Sequence, residues 1–200
     1  AIGLASLEKA LAAIGDAVPV TLVFQPFELN PSMGAAGEPI VEHLEAKYGI
    51  TPEQIAQNQA SIRERGAALG FAFGQRDRIW NTFAAHRLLW WAGVEESPAA
   101  QRALKHALLQ AYHGEGRDIS SREVLMDCVV AAGLATTHAA QILDEDTYGV
   151  EVREAERRWQ QSGIHAVPAV VIEGRFLISG GQPPEVYERA LREIAAGRAG

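Results

Sequence analysis

Leu4, Leu7, Leu11 and Ile14 recur every three or four residues. That spacing gathers side chains on one face of an α-helix, so the chain opens inside an amphipathic helix that Gly15 and Asp16 end. The period then shortens to two. From Val18 to Phe24, Val20, Leu22 and Phe24 fall on one face and Thr21, Val23 and Gln25 on the other, which predicts a strand. Pro26, Asn30 and Pro31 stop it, because proline has no N–H to give a ladder.

Between Gly34 and Ser162 nearly everything reads as helix, and the starts have physical causes. In "GITPEQ", Thr51 can cap, Pro52 suits the first helical position and Gln54 can close a capping box. Ser97 and Pro98 repeat the cap-then-proline logic, and Ser120 with Glu123 forms a further candidate box. "NTFAAHRLLWWAG" and "DTYGVEVREAERRWQQSG" supply two more helices, the second closed by Gly163. After Gly163 come two short apolar runs, Ala169 to Ile172 and Arg175 to Ile178, joined by Glu173 and Gly174. So short a link predicts an antiparallel hairpin. Pro183 and Pro184 then open a last helix whose apolar stripe is Val186, Tyr187, Ala190, Leu191 and Ile194.

Composition narrows what such a chain can do. Its 200 residues are 48% apolar, enough for a proper core and consistent with one domain, or one domain carrying a large insertion. A formal charge of -7 opposes nucleic-acid binding, which needs clustered Lys and Arg on one face, and "REAERRW" reads as a solvated helix face. No apolar run is long enough to span a bilayer. The opening carries no secretory signal pattern, which favours a cytoplasmic location and no membrane partner. The single cysteine, Cys128, sits in the apolar helical stretch "SREVLMDCVVAAGL" and reads as a buried, inert thiol. Six scattered histidines show no ligand spacing, so no metal site is expected.

The order helix, strand, helical block, hairpin, helix, with a Val-Pro step before the hairpin, resembles a thioredoxin-like fold with a large inserted all-helical domain. In detail it resembles the DsbA-like oxidoreductases of the FrnE type, relatives of 2-hydroxychromene-2-carboxylate isomerases and kappa-class glutathione transferases. "IGLASLEKAL", "FQPFELNP", "AKYGIT", "WNTFAAHRLLWWA", "GIHAVPAVVI" and "LISGGQPPEVYERAL" carry the likeness across the chain. The fold class it implies is α/β, with residues 1–33 and 163–200 forming the thioredoxin-like part and 34–162 the helical insertion.

In that family a first strand and a CxxC motif precede the helix beginning here near Ile2. A thiolate at a helix N-terminus is stabilised by free backbone N–H groups and the helix dipole, which makes it a nucleophile at neutral pH. Ala1 holds the place after the second cysteine, so the resemblance implies that the motif and its strand lie upstream of Ala1. Ala1, Ile2 and Gly3 then form the start of the active-site helix. Val167 and Pro168 match the family's cis-proline position, where the backbone meets an extended substrate or glutathione. Asn81, His86 and Arg87 match a segment facing the groove between insertion and core. Trp80, Trp90 and Trp91 read as core or interface anchors. Gln182, before the last helix, stands where glutathione-binding relatives carry an acid.

The resemblance thus implies a thiol-disulfide oxidoreductase acting on a protein or small-molecule thiol or disulfide. It requires no bound cofactor, and glutathione is the alternative. A glutathione-dependent isomerase or transferase, and a non-catalytic binding module that has lost the redox pair, are the competing readings.

Overall fold

A computed structural model describes residues 1–197. Helix α1, Ile2–Ile14, lays Leu7, Ala10 and Ile14 against Tyr187 and Leu191 of the final helix, α9, Pro184–Ala195. Val170, Ile172 and Ile178 close this core from the hairpin, in which β3, Ala169–Ile172, pairs antiparallel with β4, Phe176–Ser179. The second strand starts one residue later than the apolar run predicts, because Glu173 (φ 53°) and Gly174 (φ 66°) turn the chain and Arg175 donates its N–H back to the Ile172 carbonyl.

The central block has its own core. Leu88 and Trp91 of α4 (Phe83–Trp91), Leu104 of α5 (Pro98–Leu109), Leu125 and Val129 of α6 (Arg122–Ala131) and Ile142 of α7 (Thr136–Asp144) are almost wholly buried together. Two further helices, α2 (Ile40–Tyr48) and α3 (Pro52–Ala68), precede α4, and α8 (Gly149–Gln161) completes the block. The Thr51 capping box forms in full, and Ser97 accepts the Ala100 N–H at 3.0 Å, each satisfying a donor the helix leaves free. The Ser120–Glu123 box does not form. Helix α6 starts one residue later, after Ser121, and Ser120 turns its hydroxyl and N–H to Asp118 instead.

Two other expectations change. The insertion also contains a two-residue antiparallel pair, β1 (Glu38–Pro39) with β2 (Arg78–Ile79). Val18 to Phe24 carries no ladder among the described residues. A period-two pattern needs a neighbouring backbone to become a strand, and among the described residues no backbone pairs with this stretch. Buried Gln101 accepts the Phe24 N–H (2.8 Å) and donates to the Phe24 carbonyl (3.0 Å), doing for one residue what a ladder does for several. The last three residues of the expected 163–200 segment lie outside those described.

Polar links lock the two cores together. Glu8 of α1 accepts from Arg102 (2.6 Å) and sits 2.7 Å from His106 of α5. The Glu28 N–H donates to Glu156 (2.9 Å), and Arg153 bridges both carboxylates.

Candidate functional site

Gly3, in the first turn of α1, lies flat against Pro168. A Cβ built on it would fall 2.7 Å from Pro168 Cγ and 2.8 Å from its Cβ, so only glycine lets the two backbones come this close. The Val167–Pro168 peptide is cis. The Pro168 carbonyl is held by the Gly180 N–H (2.8 Å), so the residue before the hairpin is tied to the residue after it. Buried Ser6 of α1 donates to the Gln182 carbonyl at 2.6 Å, Arg65 of α3 to the Gly181 carbonyl at 2.9 Å, and Tyr187 to the Gly180 carbonyl at 3.2 Å. Three helices thereby fix the Pro168 and Gly180–Gln182 backbone around the start of α1.

A cavity of about 1480 Å³ opens from this point. Ala1, Ile2, Gly3, Val167 and Pro168 form one side, the Thr21–Phe27 stretch another, and α4 and α5 a third through His86, Leu89 and Lys105. Val20 (42% exposed), Val23 (49%) and Val167 (42%) leave apolar surface open beside it. Within the cavity, burial together with the Lys105 charge brings His86 down to about 3. Burial, helped by Arg76 and Lys105, brings His113 to about 3 as well, so both imidazoles are neutral at physiological pH. Burial also lowers Lys105. Arg76 lies 3.4 Å from His113 Nδ1 and stacks 4.4 Å from the centre of the Tyr112 ring.

Of the residues singled out from sequence, Ala1, Ile2, Gly3, Trp80, His86, Val167 and Pro168 meet in this cavity. Three others do not. Asn81 does not line it: its helix starts two residues later, and its amide accepts from the Phe83 N–H and donates to the Met33 carbonyl, both at 2.8 Å. Gln182 turns its amide away to the Ser179 carbonyl, leaving Gly181 at the rim. Arg87 is buried in the helical block, paired with Asp146 at 2.5 Å. Conversely Arg76, Lys105 and His113 escaped the sequence reading. A signal existed for Lys105, since Gln101, Leu104, Lys105 and Leu108 share one helical face, a cation on an otherwise inward stripe.

A family model for the DsbA-like thioredoxin domain matches residues 2–192. The chain belongs to the DsbA-like thioredoxin family. Among solved structures it is similar to a probable DsbA oxidoreductase from Streptomyces coelicolor, with 33% identity over the whole of this chain and 85% of that one and a TM-score of 0.89. It shares its fold with a putative protein disulfide isomerase from Nitrosomonas europaea (18% identity, 80% of this chain and 90% of that one, TM-score 0.59). The same holds for a 2-hydroxychromene-2-carboxylate isomerase (12% identity, 99% of this chain and 92% of that one, TM-score 0.70). No curated protein matches the chain. The fold is therefore a DsbA-like thioredoxin fold carrying a helical insertion. Gly3 against Pro168 joins the start of α1 to the segment before the hairpin along one side of the cavity.

Proposed function

We propose that the protein is a thiol-disulfide oxidoreductase whose CxxC lies upstream of Ala1, at the N-terminus of α1. The observation that carries this reading is the packing of Gly3 on Pro168, which sets the free N–H groups of the first turn of α1 beside the half-exposed residue Val167. A thiolate at that helix start would have its charge stabilised by the dipole and would face any chain laid along Val167. The open apolar surface of Val20 and Val23, without a ladder, and the edge of β3 not paired with β4 fit a further strand entering between them.

In the oxidising direction, a substrate thiolate attacks one sulfur of the CxxC disulfide and expels the other as a thiolate, forming a mixed disulfide. A second substrate thiolate then attacks the substrate sulfur of that bond. It releases the oxidised substrate and leaves both motif sulfurs reduced, two electrons having passed to the protein.

Cys128 takes no part. It is 3% exposed, and burial pushes its thiol up to about 11, so it stays protonated at neutral pH. The test is reduction or oxidation of a dithiol substrate by protein carrying the upstream residues. Serine at the first motif cysteine should abolish turnover, and Cys128→Ser should leave it unchanged. Turnover that survives loss of the motif would overturn the proposal. Turnover that tolerates serine but requires added glutathione would favour the isomerase or transferase reading.

A further inference from the structure

One side chain of the insertion grips the backbone of the thioredoxin part at a single residue. Gln101 of α5, 2% exposed, accepts the Phe24 N–H at 2.8 Å, donates to the Phe24 carbonyl at 3.0 Å and donates to the Leu89 carbonyl at 3.0 Å. One planar amide meets both main-chain groups of a single residue only where that residue is extended, because the two groups then point to the same side. The turn Ala92–Glu96 after α4 leaves room for this amide. A Cβ on its Gly93 would fall 2.5 Å from Gln101 Nε2. Phe24 lines the cavity and Gln101 does not, so the amide holds the edge of the stretch that faces away from the cavity.

Main-chain groups of an extended stretch alternate between its two edges, as side chains alternate between its faces. With those of Phe24 turned to α5, those of Val23 and Gln25 turn to the opposite edge. There they meet no hydrogen-bonding partner among the described residues, and the Gln25 side chain is engaged elsewhere, accepting from the Trp159 indole at 3.2 Å. Backbone groups of this kind are paired in a finished fold.

We propose that Gln101 is a positioning residue for the upstream motif: by holding Phe24 it presents the backbone of Thr21, Val23 and Gln25 to the strand that enters before α1, and so fixes the edge on which that strand pairs. A slip of the stretch by one residue would turn those groups away and carry Leu22 out of the core it shares with Leu7 and Tyr187. Three hydrogen bonds on a buried amide oppose the slip. Gln101's role rests on the reading given above for the strand and its thiols, although main-chain pairing itself needs no thiol.

The experiment is residue-resolved amide hydrogen exchange, followed by NMR, on the protein carrying the upstream residues. Thr21, Val23 and Gln25 should exchange at least about tenfold more slowly than Val20 and Leu22, with Phe24 as slow as its neighbours. Gln101→Met should speed exchange at Phe24 about tenfold, and at Val23 and Gln25 as well, while Val129 in the helical core keeps its protection. In the same variant, the pH at which iodoacetamide alkylates the first motif cysteine should rise, since a displaced sulfur loses the N–H groups of the helix start. Slow exchange at Val20 and Leu22 with fast exchange at Val23 and Gln25 overturns the proposal, and does so in the unmodified protein even if the variant fails to fold. It is overturned equally by Gln101→Met that leaves Phe24 protected, that speeds Phe24 and Val129 alike, or that leaves the alkylation profile unchanged. An upstream segment without a reactive cysteine removes the redox reading, and the exchange pattern then still decides the pairing.

Discussion

Arg153 stands between two buried carboxylates, with the Glu28 side chain 1% and the Glu156 side chain 7% exposed. Burial, then repulsion from Glu156, holds the Glu28 carboxyl above its usual range, and Arg153 only partly offsets this. Arg153→Met should therefore cost roughly 2–3 kcal/mol of stability at pH 7, since it strands charges that its guanidinium compensates. The cost should shrink on acidification. A carboxyl with a raised folded pKa takes up protons in the native state first, so stability recovers as pH falls through that pKa. Urea denaturation at pH 7 and pH 5 measures both effects. His86 runs the other way. With a folded pKa near 3 against an unfolded value near 6.5, the unfolded chain binds the extra proton, so its contribution is complete above about pH 6.5 and is lost as pH falls toward 3. Comparing the protein with His86→Gln from pH 7 to pH 4 should show the variant less sensitive to acid, by up to about 1.4 kcal/mol per pH unit.

At the scale of elements, the contact that positions the site is α1 on the loop before the hairpin, and it tolerates no methyl group. In Gly3→Ala the new Cβ would meet the Pro168 ring, which cannot swing aside as a long side chain does, so α1 must shift. The expected loss is about 1–3 kcal/mol in thermal or chemical denaturation. Oxidoreductase turnover should fall by more than this destabilisation explains, because the helix start and Val167 separate. The elements were legible in the sequence wherever their causes were local. Thr51 with Gln54, and Ser97 with Pro98, carry their caps within three residues, and the Glu173–Gly174 turn needs nothing beyond itself. Legibility failed where a distant group decided the outcome. Val18 to Phe24 has a strand's pattern but no ladder among the described residues, and Gln101, some 77 residues on, meets the backbone of Phe24 alone. Asn81 is expected at the groove because its segment matches one that faces the groove in the family. The helix begins at Phe83, and Met33 claims the amide.

At the scale of the whole molecule, the order of elements and the Val-Pro step sufficed to place the chain in its family and to bring both ends of the site together. The charge of the cavity was not readable, since Arg76, Lys105 and Arg65 come from three separate segments and converge only through the packing of insertion on core. Ion pairs such as Glu8 with Arg102, and Arg153 with Glu28, hold that packing. Leu7 and Ala10 of α1 are covered by Tyr187 and Leu191, partners that a ribosome produces about 180 residues later. The helical block between them draws its contacts from nearby sequence and can form as it emerges, since local contacts form fastest. During synthesis the apolar face of α1 therefore waits, uncovered beside an already folded neighbour, until α9 arrives. Translation speed over the whole stretch between α1 and α9 sets how long that face stays open to other chains.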